Sequence, residues 1–306
     1  MTAIAKDLQV SVGAYRKGLL LVALAGVCWS SMGLFIRLME VATPWQILFT
    51  RSTAFVVLLL VVLALRHEGR PLRAIRKAGL PGVIGGLGLL FAFSGGVYAI
   101  VHTTVANAMF LFASAPFMVA LLSGIVLGES VRRATWIATL VAALGVGLMV
   151  WEGISAGRLA GNLSALLSAG GFAVFTLALR RGRSGDMTPA VCLGGVFTAL
   201  ATGAFCLMTG QALLLPAHDL ALAACMGWLQ IGLGLLLYTL GSKWVPAAEL
   251  ALLSMTEVVL GPFWVWLLLG ETAGLWTLLG GIVVLAAIGG NALSGLRRRP
   301  PPIGAV

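Results

Sequence analysis

One carboxyl group carries most of the chemical information in this chain. Glu257 falls near the middle of an apolar stretch running from about Pro246 to Leu269, and an ionisable side chain at that depth in a bilayer costs several kcal/mol unless it faces protein or water. Two kinds of chemistry would use it: contact with a substrate amine, or carriage of a proton. A carboxyl held neutral and bonded to a neighbouring helix satisfies the sequence as well. Glu249 lies two turns earlier, near the inner end of the same stretch. It could stand with Lys243 at a rim or gate, or snorkel to the surface. Arg51 lies about two turns into another apolar stretch, deep enough that its guanidinium needs a carboxylate, a carbonyl or water. A gate, a clamp on a substrate carboxylate and a structural tie all fit it.

Aromatic and polar residues recur at helical spacing around these charges. Phe91, Ser94, Tyr98 and His102 follow one another at three- and four-residue steps, as do Gln230, Gly234, Tyr238 and Gly241. Lipid-facing helices tend to be uniformly aliphatic, so these mixed stripes predict a shared, partly hydrated cavity. His102 falls at a stretch end, where an interfacial side chain and a proton relay read alike. Trp264, two turns from Glu257 on nearly the same face, would set an aromatic wall beside the charge. Asn107 and Ser114, seven residues apart, would present an amide and a hydroxyl to the same cavity or bond to a neighbouring helix. The four cysteines, Cys28, Cys192, Cys206 and Cys225, have neither CxxC spacing nor a nearby His pair, and are expected to be small buried hydrophobes. His67-Glu68 lacks the second His that a zinc site needs, so no metal or cofactor is expected. No Walker A loop, HExxH or nucleophile elbow is present, which argues against an enzyme and against an ATP-driven pump.

The elements that must position these groups are membrane helices. Hydrophobic residues make up 60% of the 306 positions and charged ones 10%, with a mean hydropathy of +1.04, which excludes an ordinary soluble domain. A helix spans a bilayer with about 20 apolar residues. Ten such stretches are predicted: Gly18 to Leu38, Trp45 to Leu65, Leu80 to Ile100, Thr104 to Leu127, Thr135 to Trp151, Leu159 to Leu179, Met187 to Met208, Leu220 to Gly241, Pro246 to Leu269 and Leu275 to Leu293. Nothing resembles a cleaved signal peptide. With the N-terminus placed in the cytoplasm, seventeen of the twenty basic residues gather on the inner side; Arg37 and Arg158 fall outside and Arg51 within a span. The formal charge of +10 is thus read as the positive-inside bias of a chain with both termini cytoplasmic. It needs no nucleic-acid partner.

The stretches also repeat. Leu-Gly-Glu occurs at Leu127 to Glu129 and again, 142 residues later, at Leu269 to Glu271. The same shift sets Ala106 on Ala248, Asn107 on Glu249, Ser114 on Thr256 and Gly147 on Gly289. Five spans per repeat, an odd number, would insert the second copy upside down. Arg132 and Arg133 follow the first Leu-Gly-Glu, whereas the turn after the second carries no basic residue, as inversion requires. The expected domains are residues 1–151, residues 159–293 and a basic, proline-rich cytoplasmic tail, 294–306. The third and eighth stretches are rich in glycine and occupy matching places, which marks them as candidates for lining a cavity and bending during a transport cycle.

The duplicated five-helix unit, the Leu-Gly-Glu ending its fourth helix, the glycine-containing fifth helix, and Ala115-Pro116-Phe117 matched with Glu257-Val258 together resemble the EamA-type drug/metabolite transporter superfamily. The likeness covers essentially the whole chain. In general character it is nearest to bacterial inner-membrane exporters of aromatic and other amino acids. A Glu-Pro pair is common in that superfamily at the mid-helix position; here the second repeat keeps Glu257 before Val258, and the first keeps Pro116 after Ala115. The resemblance implies an all-α secondary transporter that exports amino acids and related small metabolites by alternating access, with the lipid bilayer as its surroundings and no ATPase partner. Two rivals are a channel, which would need a more continuous polar row, and a membrane-embedded enzyme or accessory subunit acting on lipid-linked sugars.

Overall fold

The computed structural model describes residues 3–66, 75–76, 78–127, 133–182, 188–241 and 247–296, which among them form helices, turns and no strand. Thirteen α-helices in chain order are labelled here. The first repeat contains α1 (Ala3–Ser30), α2 (Met32–Leu38), α3 (Pro44–Arg66), α4 (Gly79–His102), α5 (Val105–Phe112), α6 (Ala115–Leu127) and α7 (Arg133–Ser155). The second contains α8 (Leu159–Gly182), α9 (Thr188–Met208), α10 (Ala217–Cys225), a π-helical segment Met226–Leu233, α11 (Gly234–Gly241), α12 (Ala247–Leu269) and α13 (Leu275–Leu296). Among the described residues, eight helical stretches are long and apolar enough to cross a membrane, from Gly13–Leu38 to Ala217–Tyr238. Thr256–Leu269 and Leu275–Asn291 are the described apolar parts of α12 and α13, at the places of the ninth and tenth expected spans.

Three of the stretches expected as single helices are interrupted, each for a local reason. In the fourth, Pro116 has no N–H to offer the Phe112 carbonyl, and the chain turns at Ala113 and Ser114, whose hydroxyl donates to the Leu111 carbonyl at 2.7 Å. In the first, Ser30 and Ser31 donate their hydroxyls to the carbonyls of Val27 and Cys28 at 2.7 and 2.6 Å, and α1 ends there. The eighth widens into the π-helix where its Trp228 indole N–H donates to the Ala54 carbonyl at 3.0 Å. Such π segments are rare and cluster at functional sites.

Helix pairing follows the repeat. α3 lies against α9, α5 against α12 and α7 against α13, each pairing a helix with its own counterpart. α4 lies against α8, while α11 and the π-helix lie against α1, so that third-with-sixth is matched by eighth-with-first. Glycine allows the closest of these crossings: a Cβ built on Gly88 would fall 2.7 Å from the Gly171 carbonyl oxygen, and one on Gly171 2.5 Å from that of Gly88. Gly145 and Gly280 stand in the same relation across α7 and α13, at 2.6 and 2.5 Å.

Candidate functional site

The α1 break, the π-helix, α11 and α12 converge on one group of side chains. The rings of Trp29 and Tyr238 lie 5.3 Å apart, and Gln230 donates to the Trp29 carbonyl at 3.5 Å. The Trp264 indole N–H donates to the Ser30 hydroxyl at 2.9 Å. Gly234 leaves room for the Trp29 ring, whose edge a Cβ there would strike. Glu257 is near enough for its charge to act on the Tyr238 hydroxyl. At 1.5 Å per residue, Glu257 lies about 18 Å along α12 from Leu269, in the middle of a span. The arrangement is a carboxylate beside a phenol and two indoles, able to take an amine or an aromatic ring.

Arg51 is 1% exposed, with its guanidinium 5.1 Å over the Phe93 ring; Nε and Nη2 meet no acceptor. The Ser52 hydroxyl and the Gln230 side-chain carbonyl are likewise buried without partners. Tyr98 belongs to a different ring group. It stacks on His102 at 3.8 Å and lies 6.0 Å from Trp45, which in turn lies 4.7 Å from Phe205. His102 is exposed, its Nδ1 2.9 Å from the Tyr98 carbonyl oxygen. Ser94 is half-buried, and Phe91, 50% exposed, is not among these ring contacts. The two sequence stripes are thus not brought into one ring cluster: helix α4 gives its Tyr98 to the Trp45 side, and α11 gives Tyr238 to the Trp29 side.

The polar pair on the fourth stretch is taken up locally. Asn107 donates from Nδ2 to the Thr103 hydroxyl at 3.0 Å and to the Asn162 side-chain carbonyl on α8, while Ser114 caps its own turn. The Asn107 side-chain carbonyl is buried without a partner. Lys243 lies outside the described residues, as do the Glu249 side chain, the first Leu-Gly-Glu at Gly128 and Glu129, and His67-Glu68. Among the described residues no cluster of three His, Cys, Asp or Glu could hold a metal. The four cysteines are free, Cys192 and Cys206 buried and the other two half-buried.

The second Leu-Gly-Glu has a concrete purpose that the spacing did not disclose. Gly270, at φ +68, closes the end of α12 in the left-handed conformation that glycine tolerates. The chain then turns Glu271 toward the start of α5, where its carboxylate accepts the Val105 N–H at 2.7 Å and the Arg37 Nε–H at 2.7 Å. Arg37 also donates to the Thr103 carbonyl at 2.8 Å, so one ion pair ties α2, α4, α5 and α12. At the same end the buried Asp219 accepts the N–H groups of Glu40, Val41 and Ala42 at 3.1, 3.0 and 2.9 Å, and Glu152 accepts those of Thr277, backbone and hydroxyl, at 2.6 and 2.7 Å. A cleft of about 530 Å³ opens beside this tie, lined by Val259, Phe263 and Trp266 among others. Its walls are mainly apolar and hold none of the sequence-predicted groups, so the Glu257 group is the better candidate.

The EamA-like transporter family model matches residues 16–151 and again 159–292. A pseudopaline exporter of Pseudomonas aeruginosa is 28% identical over 284 residues, covering 89% of this chain and 94% of that protein. An uncharacterised protein of the same species is 30% identical over 261 residues, 84% of this chain and 88% of its own length. A solved crystal structure superposes with a TM-score of 0.65 over 92% of this chain and 99% of its own, at 18% identity, which shows a shared fold.

Proposed function

The chain belongs to the EamA-like transporter family, and from that premise we propose that it is a secondary transporter exporting amino acids, aromatic and other neutral ones, and related small metabolites by alternating access. It is a multi-pass membrane protein built on an internal repeat. The proposal takes residues 1–151 and 159–293 as two inverted five-helix repeats crossing the membrane ten times, with residues 294–306 as a cytoplasmic tail and the protein in the bacterial inner membrane. Reciprocal helix pairing between the halves supports this, because two units related by a twofold place each helix against its counterpart or exchange partners in matched pairs.

One observation carries the functional reading. Tyr238, within reach of the mid-span Glu257 charge, meets Trp29 of the first repeat, and Trp264 donates to Ser30 of that repeat. Rocking one repeat against the other would open and close this group. The test is flux in liposomes containing the purified chain and a panel of labelled amino acids, with and without an imposed pH gradient. Wild-type protein carries at least one aromatic amino acid, and Glu257→Gln, which keeps the shape of a protonated carboxyl but releases no proton, abolishes any acceleration by the gradient. If Glu257 pairs only with the substrate amine, affinity falls and an uncoupled cycle survives. Wild-type rate, affinity and pH response in the variant would assign Glu257 to structure. The relative named as a pseudopaline exporter favours a second reading, in which pseudopaline or a close analogue is the cargo; the same liposomes loaded with that compound distinguish the two.

A further inference from the structure

We propose that Arg51 is the docking point for a carboxylate of the transported molecule; this rests on the transporter reading and names the substrate class at its site. The argument begins with what a guanidinium requires. Arginine stays charged in proteins and presents its N–H groups in the plane of a rigid fork. Phe93 covers one face of that plane and gives nothing to its edge. Nε and Nη2, two of the three nitrogens of the fork, meet no acceptor in a residue that is 1% exposed. A buried unpaired charge is among the costliest arrangements a protein can hold.

Arg51 is not alone on its seam. The π-helix packs on α3 where Gly227 has no Cβ, an added one falling 2.5 Å from the Arg51 carbonyl oxygen. One turn along that π-helix, Gln230 buries its side-chain carbonyl without a partner, and Ser52 does the same with its hydroxyl. Three unsatisfied side chains at the junction of α3 and a π-helix point to a polar ligand rather than to packing. Depth agrees. Measured at 1.5 Å per residue from the Glu271 end of the bundle, Arg51 lies about 10 Å down α3 from Pro44, Phe93 about 13 Å down α4 from His102, and Trp29 about 13 Å below Leu38. These three backbone positions thus lie at similar depth, nearer that end than Glu257 on α12. A carboxylate matches the fork edge, accepting from Nε and Nη2 together, with the Gln230 carbonyl left to take a donor from the same molecule.

The test uses the purified full-length chain and two probes that divide an aromatic amino acid: hydrocinnamate, which keeps the carboxylate and lacks the amine, and phenethylamine, which does the reverse. Thermal stabilisation by each gives an apparent affinity without transport. The wild type binds both. Arg51→Gln loses affinity for hydrocinnamate by about tenfold or more and keeps that for phenethylamine; Arg51→Lys, which keeps the charge and loses the fork, falls between. Should Arg51→Gln fail to purify, the Lys variant carries the same comparison. Equal loss for both probes would make Arg51 structural and overturn the proposal, as would a wild type indifferent to hydrocinnamate. Binding split as expected, with no flux of any amino acid in liposomes, would keep the carboxylate site and sink the transport reading.

Discussion

At the scale of the residue, what separates the aromatic groups is their company. Tyr98 stacks on an exposed histidine and leans on Trp45, whereas Tyr238 stands between Trp29 and the Glu257 charge. Their stripes match in spacing, but folding surrounds them with different neighbours. Tyr238→Ala is therefore expected to weaken transport of an aromatic amino acid at least several-fold at near-normal abundance in membranes, and Tyr98→Ala to do less. Initial export rates normalised to immunodetected protein check this. Activity lost in step with abundance would make Tyr238 a packing residue. Asn107 shows a divided fate: its Nδ2 is taken by Thr103 and Asn162, while its side-chain carbonyl is buried without a partner.

Among the elements, glycine seams and helix breaks do the positioning. α4 and α8 approach so closely that Gly88 and Gly171 lie each against the other's carbonyl, and backbone cannot withdraw as a flexible side chain can. Gly171→Leu should push the pair apart and destabilise the protein by ~1–3 kcal/mol or more, read as a lower unfolding temperature in detergent. Gly147, where a Cβ would meet nothing within 4 Å, serves as the control: Gly147→Ala is expected to be neutral or slightly stabilising. A Gly171 variant as stable as wild type would show that the crossing has slack. The breaks matter differently, because α1 ends where Trp29 and Ser30 meet Tyr238 and Trp264, and the π-helix brings Gln230 to the Trp29 carbonyl.

For the whole molecule, the Arg37–Glu271 pair is a tie between the two repeats at one end of the bundle. It joins α2, α4 and α5 of the first repeat to α12 of the second. In the proposed topology this end lies outside, and its closure would be the outward-closed state of the proposed cycle. Reporters fused after Leu296 and after Glu271 should then report cytoplasm and exterior respectively. Glu271→Gln removes a partly buried charge from both Arg37 and the α5 N-terminus, worth ~1–2 kcal/mol, and should raise the share of outward-open molecules about tenfold. An Ala106→Cys protein without its native cysteines measures that share as labelling by a membrane-impermeant maleimide. Unchanged labelling would show that other contacts keep the end closed.

The linear chain was enough to establish a helical membrane protein with an internal repeat and a family resemblance, because hydropathy, basic-residue asymmetry and the 142-residue recurrence are properties of spacing alone. Spacing also singled out Glu257 and Arg51, since a charge inside an apolar run stands out whatever surrounds it. It could not tell which face of α4 meets which partner, nor that Ser30, Trp29 and Phe93 would flank those charges, because such contacts join residues up to 234 positions apart. Asp219 gave no sign at all: an acidic residue at a helix start looks like ordinary capping until three amides from another loop fold onto it. The Leu-Gly-Glu motif marked the repeat, but its role waited on tertiary structure. A carboxylate acquires one only when folding brings it a helix N-terminus and an arginine from across the bundle.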